Sequence, residues 1–138
     1  LRPHKFLMNC LHHACNIKII ASVLYTPNIQ LIFSNLDESK IHLLLTREIL
    51  DRILEELDYD YIVNSIAQGN LKIGIIGPDT KICFTMGDNF ITLGLYFTNG
   101  EYDLNNLLFN GNKNAKDWGE KLFKYYQDSA TDFNLEMS

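Results

Sequence analysis

The stretch IHLLLTREILDRILEEL, residues 41–57, decides the fold of this chain because a buried strand runs directly into a helix. The segment IHLLL (41–45) is continuously apolar, which is typical of a strand covered on both faces in a parallel sheet. Thr46 is a favoured residue type at a helix N-cap, and Glu48 lies in the first turn, where the helix dipole stabilises an acid. The apolar residues that follow recur at helical spacing and form one stripe: Ile49, Leu50, Ile53, Leu54 and Leu57.

Strand and helix patterns of the same kind lie on either side of this stretch. IKIIASVLY (17–25) and LKIGII (71–76) predict two more buried strands. A helix is expected to begin at Thr26-Pro27, since Thr suits the N-cap and Pro the first helical position. A short helix, YIVNSIA (61–67), is expected to stop at Gly69-Asn70. Strand–helix–strand crossovers predict a parallel core with right-handed connections. An N-terminal helix is predicted over residues 4–14.

An antiparallel hairpin is predicted to extend this core. KICFTM (81–86) and FITLGLYF (90–97) flank the turn Gly87-Asp88-Asn89. The acidic residues Asp88 and Glu101 lie near opposite ends of the second strand. At about 3.3 Å per residue they are too far apart for a catalytic carboxylate pair. They are therefore interpreted as turn residues.

The last predicted element is a helix over NAKDWGEKLFKYYQD (114–128). Asn114 and Asp117 resemble a capping box. Its apolar residues are assigned to one face: Ala115, Trp118, Leu122, Tyr125 and Tyr126. The predicted fold is α/β, with a single mixed sheet made of a parallel core plus an antiparallel hairpin and with helices on both faces. Residues 1–138 are predicted to form one domain.

Composition narrows the class of protein. The chain is 46% hydrophobic and carries 12 basic against 17 acidic residues, a net charge of −5. An acidic domain is unsuited to tracking phosphates along nucleic acid. No apolar stretch is long enough to span a membrane, and three cysteines form no disulfide framework, so we expect a cytoplasmic protein. The cluster Cys10-Leu11-His12-His13-Ala14-Cys15 lacks the paired spacing of a zinc site, so neither a metal nor a cofactor is predicted.

Four segments together resemble a known family. They are Leu24-Tyr25-Thr26-Pro27, Leu44-Leu45-Thr46-Arg47-Glu48-Ile49-Leu50, FTMGDNFITLGLYFTNGEYD (84–103) and the helix NAKDWGEKLFKYYQD. Over roughly residues 4 to 130 the chain is similar to the effector domain that follows the winged helix-turn-helix in archaeal methanogenesis-type transcription regulators. The most specific part of the resemblance is the W-G-E-x-L-F-x-Y-Y pattern that begins at Trp118.

The resemblance implies half of a phospholipase D-like fold, used to sense a ligand or to dimerise rather than to catalyse. The His-x-Lys motif of true phospholipase D enzymes is missing, because His4 is followed directly by Lys5 and His42 by three leucines. The resemblance also implies that the chain is a fragment of a longer regulator, with an N-terminal DNA-binding domain that would make any DNA contact. A phosphodiesterase relic and a protein-interaction domain without a small-molecule ligand remain the alternatives.

A ligand site is predicted at the carboxyl ends of the parallel strands, where crevices form in open α/β sheets. Two of these ends run into helix N-termini, whose free N–H groups favour anions. The residues assigned to this site are Tyr25, Thr26, Thr46 and Arg47. Its ligand would be a small anionic or polyhydroxylated metabolite. One alternative is that both threonines only cap their helices and Arg47 is a solvated first-turn residue. The other is that the ligand lies near Thr85 and Tyr96.

A homodimer is predicted from the aromatic residues of the last helix. Trp118, Tyr125 and Tyr126 offer more aromatic surface than covering one sheet requires. Because Tyr125 and Tyr126 are adjacent, they point about 100° apart, and at least one is expected to be available to a partner. We therefore place the dimer interface near this helix.

Overall fold

The computed structural model of the protein describes residues 15–22, 33, 39–96 and 102–133. The helices predicted over 4–14 and after Thr26-Pro27 lie outside them, apart from Phe33, which is buried. The strands are β1 (Asn16–Ala21), β2 (Lys40–Thr46), β3 (Leu71–Ile76), β4 (Cys83–Met86), β5 (Ile91–Tyr96), β6 (Tyr102–Asn110) and β7 (Thr131–Asp132). The helices within the described ranges are α1 (Arg47–Glu56), α2 (Tyr59–Ala67) and α3 (Lys113–Ser129).

The strands form one seven-stranded sheet in the order β6-β5-β4-β1-β2-β3-β7. β1, β2 and β3 are parallel neighbours at its centre, and β4, β5, β6 and β7 pair antiparallel. The predicted hairpin is confirmed as β4 and β5, with Phe84 opposite Leu93. The fold is therefore the predicted α/β class, a single mixed sheet with a parallel core.

The sheet buries a different cluster on each face. On the first face, Leu50 and Ile62 of α1 and α2 pack with Ile19, Leu43 and Ile73. On the second face, α3 inserts Phe123 among residues that include Ile20, Leu44 and Phe84. Alternation along each central strand supplies both clusters, because successive side chains point to opposite faces. Helices on both faces are thus confirmed.

Helix ends follow local chemistry. Thr46 is the N-cap residue of α1, as predicted, although its side chain makes no capping hydrogen bond. The Asp58 carboxylate caps α2 by accepting from the N–H groups of Asp60 and Tyr61. After α2, Gly69 has φ of 81°, which a glycine adopts without strain, and this confirms the predicted stop.

Two strands were missed from the sequence. β6 contains Asn105-Asn106, residue types that are depleted in strands, and they interrupt the apolar alternation. Its pairing with β5 also shifts register between Gly94 and Tyr96. β7 has only two residues, too few to show any period. Both are held by backbone pairing at the two edges of the sheet.

The predicted start of α3 is wrong, and its predicted inward face is confirmed only in part: Ala115, Leu122 and Tyr126 pack against the core, whereas Trp118 and Tyr125 are exposed. The helix begins at Lys113, and its cap is Asn112, whose side chain accepts from the N–H of Ala115. Gly119 and Phe123 are the buried residues of α3, whereas Trp118 is 49% exposed and Tyr125 is 70% exposed. Glycine does not count as an apolar residue in a periodicity pattern, so the pattern did not place Gly119 on the inward face. Its lack of a side chain is what allows this face of α3 to approach the sheet. Trp118 lies about 100° around the helix from it.

Asp88 joins the β4–β5 turn to the start of β1. Its carboxylate accepts hydrogen bonds from the backbone N–H of Cys15 at 2.9 Å and of Asn16 at 3.1 Å. Its backbone carbonyl accepts one from Lys116 of α3. Asp88 therefore holds the start of β1, the outer strand of the parallel core, against the β4–β5 turn. This role agrees with the interpretation of Asp88 as a structural turn residue.

Replacing Gly119 with alanine is expected to destabilise the protein. A Cβ there would lie 2.9 Å from Ile91 Cγ2 and 3.0 Å from Phe84 Cζ. Helix propensity favours alanine by about 1 kcal/mol. Overpacking costs about 1–3 kcal/mol, so we expect a net loss of about 1 kcal/mol in urea unfolding. Exposed Lys121→Ala on the same helix is the control and should change the unfolding free energy by less than about 0.5 kcal/mol. A Gly119→Ala protein as stable as the wild type would contradict this account of the packing.

Candidate functional site

The edge at which the ligand was predicted is only partly described. Tyr25 and Thr26 lie outside the described residues. Thr46 is buried at the end of β2. Arg47 is exposed, and its Nε donates to Asp51 Oδ1 at 3.0 Å, one helical turn further along α1. This pairing fits the alternative in which Arg47 is a solvated first-turn residue, and the ligand site at this edge stays a prediction.

Thr85 and Tyr96, the second predicted location, lie on neighbouring strands. Thr85 of β4 is buried and faces Thr92 of β5 across the sheet. Tyr96 ends β5, where its backbone pairs with Tyr102. Burial removes most of the Thr85 side chain from solvent. A ligand site near Thr85 and Tyr96 stays a prediction.

A basic row at the opposite end of the parallel strands was missed from the sequence. Lys18, His42 and Lys72 are direct partners across β1, β2 and β3, so their side chains lie on one face of the sheet. Each interrupts an apolar strand at the same point, in the triplets Ile-Lys-Ile (17–19), Ile-His-Leu (41–43) and Leu-Lys-Ile (71–73). Adjacent strands are about 4.8 Å apart, so the row spans roughly 10 Å. The repeated triplet is the sequence signal that could have revealed it.

Lys40 completes this basic group. It stands two residues before His42 in β2, and side chains two apart in a strand share a face. A cavity of about 160 Å³ at this place is lined by all four residues together with Asn16. We call Lys18, Lys40, His42 and Lys72 the lysine groove. A second cavity of about 350 Å³, beside α3, shares Lys18 with it.

The charges in the lysine groove are unevenly compensated. Lys18 Nζ is 2.9 Å from Glu120 Oε2 of α3 and 5.4 Å from the centre of the Phe123 ring. In the part of the chain that the structure describes, Lys40 and Lys72 form no ion pair within 4 Å. Lys40 and Lys72 therefore line the groove without an ion-pair partner among the described carboxylates.

His42 lies between these lysines and is half-buried. Its ring meets the Phe123 ring edge-on, with centroids 4.9 Å apart. Burial, and then the charges of Lys72 and Lys18, lower the pKa of His42 from 6.5 to about 4, against a smaller opposing effect of Asp132. At neutral pH the imidazole is consequently uncharged, with one nitrogen that donates and one that accepts a hydrogen bond.

The groove is chemically suited to an anion. Ammonium groups donate hydrogen bonds and attract negative charge, and a neutral imidazole adds one more donor. Among the described side chains, no group of three His, Cys, Asp or Glu could hold a metal ion. The cysteine and histidine cluster at residues 10–14 lies outside the described ranges. None of the described helices is long and apolar enough to cross a membrane.

The sequence matches a class of regulatory domain. Residues 1–129 match the family described as the middle domain of the methanogenesis regulatory protein FilR1. The chain therefore belongs to this family of archaeal transcription-regulator domains.

Two relatives give the scale of the similarity. The methanogenesis regulatory protein FilR1 of Methanothrix harundinacea (strain 6Ac) is 27% identical over 138 residues, which are 97% of this chain and 31% of that protein. The chain thus spans about a third of that regulator's length. The structure of TrmBL2, described as an archaeal chromatin protein with a novel mode of DNA binding, superposes with a TM-score of 0.77. It is 15% identical, and the match covers 96% of this chain and 52% of TrmBL2.

Acid is expected to destabilise the protein in part through His42. Its pKa in the folded state, about 4, lies below 6.5, so the unfolded chain takes up the proton first as pH falls. The free energy of unfolding should therefore decrease from pH 6.5 toward pH 4. His42→Gln stays neutral throughout and should lose less stability over that window, measured by urea unfolding at pH 7, 6, 5 and 4.5. Parallel pH curves for the two proteins would mean that His42 does not titrate this way.

Proposed function

We propose that this domain is the ligand-sensing and dimerisation part of an archaeal transcription regulator in the cytoplasm, and that it has no catalytic activity. The observation that carries the sensing role is the lysine groove, in which Lys40 and Lys72 line a cavity and form no ion pair with any described carboxylate. Uncompensated charge of this kind is unexpected in a chain with a net charge of −5, since acids are in excess to neutralise it. The ligand is a small polar metabolite, anionic or polyhydroxylated.

The surroundings of His42 favour binding over catalysis. A nucleophilic mechanism requires a base that is hydrogen-bonded to a nucleophile and oriented by a third group. The His42 ring instead packs on Phe123, between two lysines that disfavour its protonation. It is therefore poorly placed to accept a proton near neutral pH. The phospholipase D-like half fold stays a prediction. The surroundings of His42 support a scaffold role for such a fold here rather than an enzymatic one.

The dimerisation role is supported by α3. Trp118 and Tyr125 are seven residues apart, so they lie on one side of the helix, and both are exposed. The adjacent Tyr126 packs against the core, and its ring meets that of Tyr125 at 5.2 Å. Exposed aromatic pairs are enriched at protein interfaces. A second copy of this chain is the partner we assign to this face.

DNA contact is assigned to another part of the regulator. The family match concerns a middle domain, and the chain corresponds to 31% of the FilR1 protein that it resembles. TrmBL2 is described as binding DNA, but the acidic charge of this chain is unfavourable for a phosphate surface. We therefore assign DNA binding to a different domain of the regulator.

A thermal-shift screen against cytoplasmic metabolites tests the sensing role. A compound that binds only the folded chain should raise the melting temperature, with about 2.7 kcal/mol of stabilisation at 100 times its Kd. The same compounds should be recovered unchanged. Release of product from a model phosphodiester, abolished in a His42→Ala protein, would contradict the non-catalytic role. Failure of every compound in a broad screen to shift the melting temperature would contradict sensing.

Sedimentation velocity tests the dimer. We expect the 138-residue chain to sediment as a dimer at micromolar concentration and Tyr125→Glu to sediment as a monomer, since a charge at an apolar interface must be desolvated. Asn114→Glu places the same charge at an exposed site near the start of the helix and should leave the dimer intact. A monomeric wild type, or a dimeric Tyr125→Glu protein, would remove α3 from the interface.

A further inference from the structure

We infer that the lysine groove is the sensor site itself and that it takes a small dianion, of the phosphate or dicarboxylate kind, held by Lys40 and Lys72. This inference rests on the proposed sensing function and deepens it by naming the place and the charge of the ligand. It differs from the site predicted at the carboxyl ends of the strands, because it lies where β1, β2 and β3 begin.

The charge balance sets the valence of the ligand. The groove holds three lysines, and the Lys18 charge is already met by Glu120 at 2.9 Å. His42 adds no charge at neutral pH. Asp132 acts on His42 from β7 but forms no ion pair with Lys40 or Lys72 within 4 Å. Two negative charges on one ligand would neutralise these two ammonium groups, whereas a monoanion would neutralise one and a neutral polyol neither.

The size of the groove suits a small ligand. Its cavity of about 160 Å³ is open to solvent, so it can hold a small anion without enclosing it. Ile17 and Ile41 also line the cavity, so part of its wall is apolar. A short carbon chain between two anionic ends would suit that wall.

Binding should be visible at His42. Charged groups face it from three strands: Lys18 on β1, Lys72 on β3 and Asp132 on β7, while Lys40 precedes it on β2 and Glu120 of α3 is engaged with Lys18. A dianion held between Lys40 and Lys72 would oppose the effect of the Lys72 and Lys18 charges on the imidazole. Opposite charge nearby favours the protonated form, so the pKa of His42 should rise when the ligand is bound. The histidine is therefore a reporter placed within the site.

The experiment uses the 138-residue chain with four probes of differing charge: pyrophosphate, succinate, acetate and glucose. Affinity is measured by calorimetry at constant ionic strength, and the pKa of His42 by NMR titration of its ring protons, assigned with His42→Gln. We expect at least one of the two multiply charged probes to bind at least tenfold more tightly than acetate and to raise the pKa of His42. Comparison of pyrophosphate with succinate then shows whether the groove prefers phosphate or carboxylate.

A matched pair of double variants tests the place. Lys40→Gln/Lys72→Gln removes the two unpaired charges, and Lys81→Gln/Lys113→Gln removes two exposed charges outside the groove. The first should weaken binding of the preferred probe at least tenfold, and the second should stay within twofold of the wild type. If either double variant unfolds, the corresponding single variants replace it, and the pKa of His42 in the wild type is an independent readout.

Three results would overturn the inference. The first is that neither pyrophosphate nor succinate binds better than acetate, and the second is equal weakening by both double variants. The third is a metabolite that stabilises the wild type and Lys40→Gln/Lys72→Gln to the same extent. That third result would leave ligand sensing in place and move its site, whereas a chain that no compound stabilises would lose the proposed function as well.

Discussion

The in-register parallel pairing of β1, β2 and β3 is the constraint on which the rest of the structure depends. β2 is the middle strand, with Ile19, Leu43 and Ile73 aligned on one face and Ile20 beside Leu44 on the other. A shift of one residue would turn every one of these side chains to the wrong face. The same register aligns Lys18, His42 and Lys72, so core and groove are specified together.

The second face of the sheet depends on how closely α3 approaches it. Gly119 leaves no room for a Cβ against Ile91 and Phe84, and Phe123 is thereby pressed into the core beside His42. That burial is the main cause of the low pKa of His42. One helix thus closes the core, desolvates the histidine and, through Glu120, holds Lys18. Its outer side carries the exposed aromatic residues Trp118 and Tyr125.

The sequence predicted those elements of the architecture that a single local pattern specifies. Continuous apolar runs located β1, β2 and β3, and turn residues located the β4–β5 hairpin. Prediction failed where contacts between distant parts of the chain determine the local structure. β6 continues through Asn105-Asn106 because its residues on either side, Tyr102 and Leu107, pair with β5. α3 turns Gly119 inward because a missing side chain permits contact. The spacing of apolar residues along the sequence reveals neither of these contacts.

The candidate site shows the same division. General rules for open sheets point to the carboxyl ends of parallel strands, and they directed attention to Thr46 and Arg47. Lys40 and Lys72, which form no ion pair with a described carboxylate, lie at the amino ends instead. A single lysine in an apolar strand is uninformative, because half-buried strands tolerate one polar residue on a face. Alignment across three strands is what marks a candidate site, since Lys18 and Lys72 then lie on either side of His42. Like charges that are held close together lower the stability of the fold when core packing does not require them there. A negatively charged ligand would offset that loss of stability.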